Sequence, residues 1–252
     1  VYGSGQEDLY LKVNYEGSAS NFVWIVPTPH YPAVTTAPAD IFGELSDYTS
    51  PIINDKSPGQ AAGEAALNYT GKNVIVHEQK QVGIYNTAIL SATGADGLFY
   101  WLESHGFQLS TAAHTILDWY VKKEWYFTAL RLNPTESITS SEITQNPNYI
   151  EPIHLSFATR SLVYPLKISQ VSTRVPEKAN SLKTSEVLLY ILNKDRVQAP
   201  GFRAEFAELI SPAIIGNKEA DQNVEFTNLK GIVTGEFFLT KLRRTFAQVE
   251  MD

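Results

Sequence analysis

Cysteine is absent from the 252 residues of this chain, which removes disulfides, thiolate-bound zinc and cysteine-ligated iron–sulfur clusters together. That absence does not choose between a reducing compartment and an exported protein that avoids cysteine. Methionine is almost missing too. Its one occurrence is Met251, so Val1 is not a translation start, and a signal peptide is expected ahead of it in the full gene. Long apolar runs are lacking: the longest, Val187 to Leu192, falls far short of the roughly 20 residues that span a bilayer. Nor is there an excess of base. With 20 Lys and Arg against 27 Asp and Glu the net charge is −7, and both signs are spread along the chain. No stripe is available to neutralise phosphates, so nucleic acid is not an expected partner.

Reaction motifs are missing as well. His30, His77, His105, His114 and His154 form no H-x-H, no H-E-x-x-H and no i, i+4 pair, so zinc has no local nucleus and no metal or cofactor is expected. No G-x-S-x-G elbow is present. Gly3-Ser4-Gly5 lacks a third glycine and a preceding strand, and Gly71-Lys72 lacks the loop that a phosphate needs. Carboxylates such as Asp96 and Glu103 read as caps and solvated helix surface rather than as a glycosidase pair. Asn68-Tyr69-Thr70 is a glycosylation sequon that decides nothing without a known secretory origin.

What the chain does have is a set of apolar segments with readable periods. Leu9, Leu11, Val13 and Tyr15 alternate with polar residues as a half-buried strand, and Phe22 to Val26 reads as a central strand stopped by Pro27 and Pro29. Across a turn at Glu16 to Ser20 the two look like a hairpin. A long Pro-, Ala- and Ser-rich excursion, expected to be mobile over Ser57 to Gly71, is predicted to hold a short helix near Ala39 to Tyr48. Asn73 to Ser91 is one bulged strand or two joined near Gly83.

Asp96 is placed as the N-cap of a helix carrying Leu98, Phe99 and Leu102 and ending at Gly106. A second helix follows, with Ala113, Ile116, Leu117 and Tyr120 at i, i+3, i+4 and i+7, capped at Ser110 or Thr111. It leads into a strand from Trp125 to Leu132. After a polar excursion from Thr135 to Asn148 come strands at Ile153 to Phe157, Leu162 to Ile168, Glu186 to Leu192 and Glu236 to Leu242, with Phe202 to Leu209 fitting either period. The fold class is therefore α+β: mostly antiparallel sheet with two consecutive helices inserted near the middle. Residues 1–252 read as a single domain, with 134–149 as the place where two subdomains would part.

In this order the segments resemble the bacterial domain of unknown function 2330. The likeness rests on the apolar strand ending in a proline pair (Phe22 to Pro29) and the Val-Gly-x-Tyr strand (Val82 to Leu90). It continues in the Leu-x-x-Trp-Leu helix closing on Gly-Phe (Leu98 to Phe107) and the aromatic strand at Trp125 to Leu132. The Tyr-Pro-Leu at Tyr164 to Leu166 and the Leu-Thr-x-Leu at Leu239 to Leu242 complete it. Nearly the whole chain is covered. The resemblance implies export behind a signal peptide, often with a membrane or wall anchor beyond the domain, and no site residues, since that family has no established activity. Many of its members carry cysteines near the start of the domain, which this chain lacks.

The expected function is thus a non-catalytic extracytoplasmic domain, secreted, periplasmic or at the cell surface, that binds or assembles with a protein or surface-polymer partner. A hydrolase acting on envelope or extracellular polymer and a periplasmic small-molecule binding module are the alternatives. Aromatic side chains carry much interface energy, but periodicity turns most of the cluster from Phe99 to Phe127 inward, Trp119 included. Trp101 and Tyr126, off the best apolar faces, are the expected exposed members. With His30 and Tyr31, in the Pro-rich loop after the buried strand, they make four candidate contact residues.

Overall fold

The computed structural model describes residues 1–13, 23–50, 74–110, 112–132, 150–170 and 184–247. The sequon, the turn at 16–20, the stretch 57–71, the helix cap at Thr111 and the 134–149 boundary lie outside them. In chain order the elements are β1 (Tyr2–Gly3), β2 (Gln6–Leu11), β3 (Val23–Thr28), β4 (Ala33–Thr36), α1 (Ile41–Thr49), β5 (Val74–Val82), β6 (Tyr85–Ala92), α2 (Ala95–Ser104) and α3 (Ala113–Val121). There follow β7 (Tyr126–Leu132), β8 (Ile153–Ala158), a 3-10 helix (Leu166–Gln170), β9 (Thr184–Asn193), β10 (Arg203–Ile210), α4 (Pro212–Gln222), α5 (Thr227–Ile232) and β11 (Phe237–Ala247). The class is α+β, with the strands in three sheets. Contacts gather these elements into two compact units, one of Gln6–Thr36 with Ser57–Ser181 and one of Val1–Gly5 with Ala37–Lys56 and Leu182–Glu250.

The larger unit has three layers. Its middle layer is the antiparallel sheet β3-β7-β6-β5. On one face Ile25, Ala88, Leu90, Phe127 and Ala129 pack under α2 and α3, meeting Leu98, Trp101, Leu102, Ile116, Leu117 and Tyr120. On the other, Val26, Val82, Tyr85, Ile89 and Leu130 pack against Leu11, Val34, Ile153, Leu155 and Phe157 of the sheet containing β2, β8 and β4. Successive residues of β6 and β7 feed alternate cores, which is why these strands read as unbroken apolar runs.

Local chemistry fixes the connections. Gly83 has φ +54° in the two-residue turn between β5 and β6, and a positive φ at the first turn position only is the pattern of a type II′ hairpin. The N-cap of α2 is Gly94, two residues earlier than expected, which leaves Asp96 inside the first turn. It ends in a Schellman motif: the Gly106 amide, at φ +83°, donates to the Glu103 carbonyl and the Phe107 amide to Leu102, each at 3.0 Å. Phe107 and Leu102 are both buried in the helix-side core, supplying the motif's hydrophobic contact.

Several expectations need correcting. β2 and β3 are not a hairpin; β2 pairs with β8 and β3 with β7. Pro27 does not stop β3 but lies within it opposite Phe127. It is tolerated because β3 is the edge of its sheet, not a central strand, and an edge position needs no second donor. The chain at 162–168 is not a strand either: an irregular stretch with buried Pro165 enters the 3-10 helix. β4 arises inside the Pro-rich excursion as a four-residue strand on β8.

The smaller unit is a two-layer α/β arrangement. The sheet β10-β11-β9 gives Leu192, Ile210 and Leu239 to a core completed by Ile41, Leu45 and Tyr48 of α1, Ile215 of α4, and Phe226, Leu229 and Val233 at α5. Buried Glu44 of α1 ties this core together. Its carboxylate accepts from the Asn228 and Leu229 amides at 3.0 and 2.7 Å and from Asn228 Nδ2 at 2.6 Å, satisfying first-turn donors of α5. Ser211 caps α4 through the Ile214 amide, with Pro212 at its first position.

Candidate functional site

At the start of β7 the loop between β3 and β4 lays Tyr31 against two other rings. Its centroid is 5.7 Å from Tyr126 and 5.9 Å from His77, nearly perpendicular to both, and His77 and Tyr126 are 5.3 Å apart. The Tyr31 hydroxyl donates to Glu78 Oε2 at 3.0 Å. His77 and Glu78 are consecutive and on a regular strand would face opposite sides. Both reach Tyr31 because the ladder between β5 and β6 shifts register between Val76 and Glu78, and a bulge of this kind re-aims one side chain. His77 Nε2 lies 2.7 Å from Ser91 Oγ.

The electrostatics are those of a surface network. Loss of solvent and the Glu78 carboxylate raise the Tyr31 phenol above its ordinary value. The Lys80 ammonium, then the Tyr31 hydroxyl, hold Glu78 below the usual carboxylate range. The loop enters this cluster fixed, since the buried Thr28 hydroxyl donates to the His30 carbonyl at 2.9 Å.

Of the four candidate contacts, the structure therefore brings Tyr31 and Tyr126 together. Tyr31 is 43% exposed and Tyr126 partly buried, and exposed His30 precedes them in the loop. Trp101 is the correction: it is only 3% exposed, sits in the core under α2, and stacks on His105 at 3.8 Å. The exposed indole is instead Trp119, at 41%, with the ammonium groups of Lys123 and Lys167 over its ring at 4.5 and 5.1 Å.

A second constellation covers the outer face of the β2, β8 and β4 strands, and the sequence gives no sign of it. His154 Nε2 and the Ser156 hydroxyl both meet Asp8 Oδ1, at 3.0 and 2.6 Å. Thr35 Oγ1 lies 3.0 Å from His154 Nδ1. Gln6 Nε2 donates to Ser156 Oγ at 2.8 Å, and Tyr10 stacks on His154 at 4.4 Å. Alternation alone places Gln6, Asp8 and Tyr10 on one face of β2, and His154 and Ser156 on one face of β8. Only the register, Asp8 opposite Ser156 and Tyr10 opposite His154, makes them neighbours.

On the inner face of β2 stands Glu7, 2% exposed, accepting from the Val163 amide at 2.9 Å. Burial pushes its carboxyl up to about 7, outweighing the Val163 amide, which pulls it down. His114 and Asp96, 2.7 Å apart, form an exposed pair on the helix layer. Among the described residues no group of three or more His, Asp and Glu is placed to hold a metal, and no helix is long and apolar enough to cross a membrane.

With the strand and helix order established, the family model for an uncharacterized protein conserved in bacteria (DUF2330) matches residues 2–250. The chain belongs to that family. No curated protein and no solved structure matches it. In this DUF2330 chain most of the segments that carried the resemblance are packing elements: Ile25 and Val26, Ile89 and Leu90, Leu98 to Phe107, and Phe127 to Leu130 all supply the two cores of the larger unit. The likeness therefore speaks for the scaffold. Tyr31 and the Asp8–His154 network lie outside those segments.

Proposed function

We propose that this DUF2330 domain works outside the cytoplasm as a non-catalytic binding or assembly module, contacting a protein or surface-polymer partner through the surface around Tyr31, His77 and Tyr126. The observation that carries the reading is an exposed aromatic held in place: Tyr31 presents 43% of its surface while two ring edges and the Glu78 carboxylate fix its position. A large, amphipathic side chain that is already ordered loses little entropy on binding, which suits Tyr to contact surfaces.

The acid–base pairs support the same choice. His154 with Asp8 lies on an open sheet face and His114 with Asp96 on exposed helix surface, whereas a hydrolase would gain from pairs facing one another across a cleft. Cosedimentation of the purified domain with the cell-envelope fraction of its own source tests the reading. Wild type should pellet with the envelope, and Tyr31→Ala should weaken that binding at least about tenfold, the scale of a central interface aromatic. Equal recovery of wild type in the supernatant with and without envelope would defeat it.

A further inference from the structure

On the outer sheet face one hydroxyl is hydrogen-bonded both to a carboxylate and to the nitrogen of a side-chain amide. Ser156 Oγ donates to Asp8 Oδ1 at 2.6 Å and accepts from the side-chain amide of Gln6 at 2.8 Å. Asp8 is held in turn by His154 Nε2 at 3.0 Å, and His154 by Thr35 at its other nitrogen, also at 3.0 Å. Tyr10 stacked on the imidazole fixes the ring. The connectivity is that of an activated nucleophile: a hydroxyl on a carboxylate base, the base oriented by a third group. What sets it apart is that a side-chain amide of the same chain, that of Gln6, is hydrogen-bonded through its nitrogen to that hydroxyl, which places the adjoining carbonyl carbon one bond from the contact. The positions are 150 residues apart in sequence, yet lie on neighbouring strands whose register fixes Asp8 opposite Ser156.

We propose that Ser156 and Gln6 are the partners of an intramolecular ester cross-link joining β2 to β8. In the step, Ser156 Oγ attacks the Gln6 side-chain carbonyl carbon and passes its proton to Asp8. The carbon–nitrogen bond then breaks, and Asp8 returns the proton to the departing nitrogen, which leaves as ammonia. An amide and an alcohol give an ester and ammonia, with no oxidant or co-reactant required. Ser156 and Gln6 are the reacting groups and Asp8 the base; His154 and Thr35 are positioning residues that act through Asp8. Amides resist alcohols in bulk solution, but neighbouring groups of one chain react with effective concentrations on the order of 10⁵–10⁸ M once they are aligned for attack. In a chain without cysteine, such a bond would fasten the strand at the start of the domain to one far along it.

The intact mass of the purified full chain decides the matter. It should fall short of the sequence mass by about 17 Da, the ammonia lost in forming the acyl bond, and digestion should yield a branched peptide joining the segments that contain Gln6 and Ser156. Treatment with hydroxylamine should open that branch. Ser156→Ala and Asp8→Asn should each show the full sequence mass. A wild-type protein at full mass overturns the proposal, as does a mass loss that persists in Ser156→Ala or maps to other residues. The wild-type mass and the position of the branch are sufficient even if a variant fails to fold.

Discussion

Glu7 shows how much a single position can hide. In sequence it is one acid in the polar start of a strand, and alternation assigns its face to Leu9 and Leu11 without saying that the face is closed. In the structure Phe157 is its partner across the ladder and its carboxyl is buried, accepting from the Val163 amide. Because burial raises the folded value to about 7 from an ordinary 4.5, the native state holds a proton that the unfolded chain releases. Stability from this group is thus complete below about pH 4.5 and is lost as pH rises through about 7. A shift of that size is worth about 3 kcal/mol. Glu7→Gln keeps the shape and removes the charge, so urea denaturation at pH 5 and pH 8 should show wild type losing stability across the interval and the variant losing much less. Parallel losses in the two proteins would place the pH dependence elsewhere.

At the scale of elements, the readable features are those whose cause is local. The hairpin at Gly83, the stop of α2 at Gly106 and the stripe of α3 each follow from a glycine or a 3.6-residue period within a dozen residues. Pairing of β2 with β8 is not local, and nothing in either segment names the other. Ser211-Pro212 is a readable helix start, but α4 buries only Ile215, so its apolar stripe is too thin to announce a helix. The tryptophans show how a face can be misjudged. Leu98, Trp101 and Leu102 stand at i, i+3 and i+4 and are all buried, while Phe99 lies at the margin. On α3 the stripe runs through Ala113, Ile116, Leu117, Tyr120 and Val121, and Trp119 falls beside it. Trp101→Ala should therefore cost about 3–5 kcal/mol through lost transfer energy and a cavity. Trp119→Ala, losing cation–π contacts with Lys123 and Lys167 at an exposed site, should cost roughly 1 kcal/mol. Urea midpoints that rank the two the other way would contradict these assignments.

For the whole molecule, the sequence misleads because the compact units are not contiguous. One is assembled from residues 1–5, 37–56 and 182–250, so a stretch near the N-terminus is completed by the last quarter of the chain. The described residues that flank 134–149 belong to one unit, the other one. The consequence is specific to α1. Its buried residues Ile41, Leu45 and Tyr48 pack in a core whose other members, Leu192, Ile210, Ile215, Phe226, Leu229, Val233 and Leu239, all lie beyond residue 181. Nine residues of helix are too few to persist alone, since isolated helices shorter than about 12–15 residues are marginal in water. The two cores that flank β6 and β7, in contrast, are drawn entirely from residues 9–168. A fragment ending at residue 181 should thus keep slow amide exchange over 85–92 and 126–132 while residues 41–49 exchange at the rate of unfolded chain, because their apolar face has nothing left to cover it. Protection lost over both regions would mean that the larger unit cannot fold without the smaller. Protection kept over 41–49 would mean that α1 draws its stability from somewhere other than the core described.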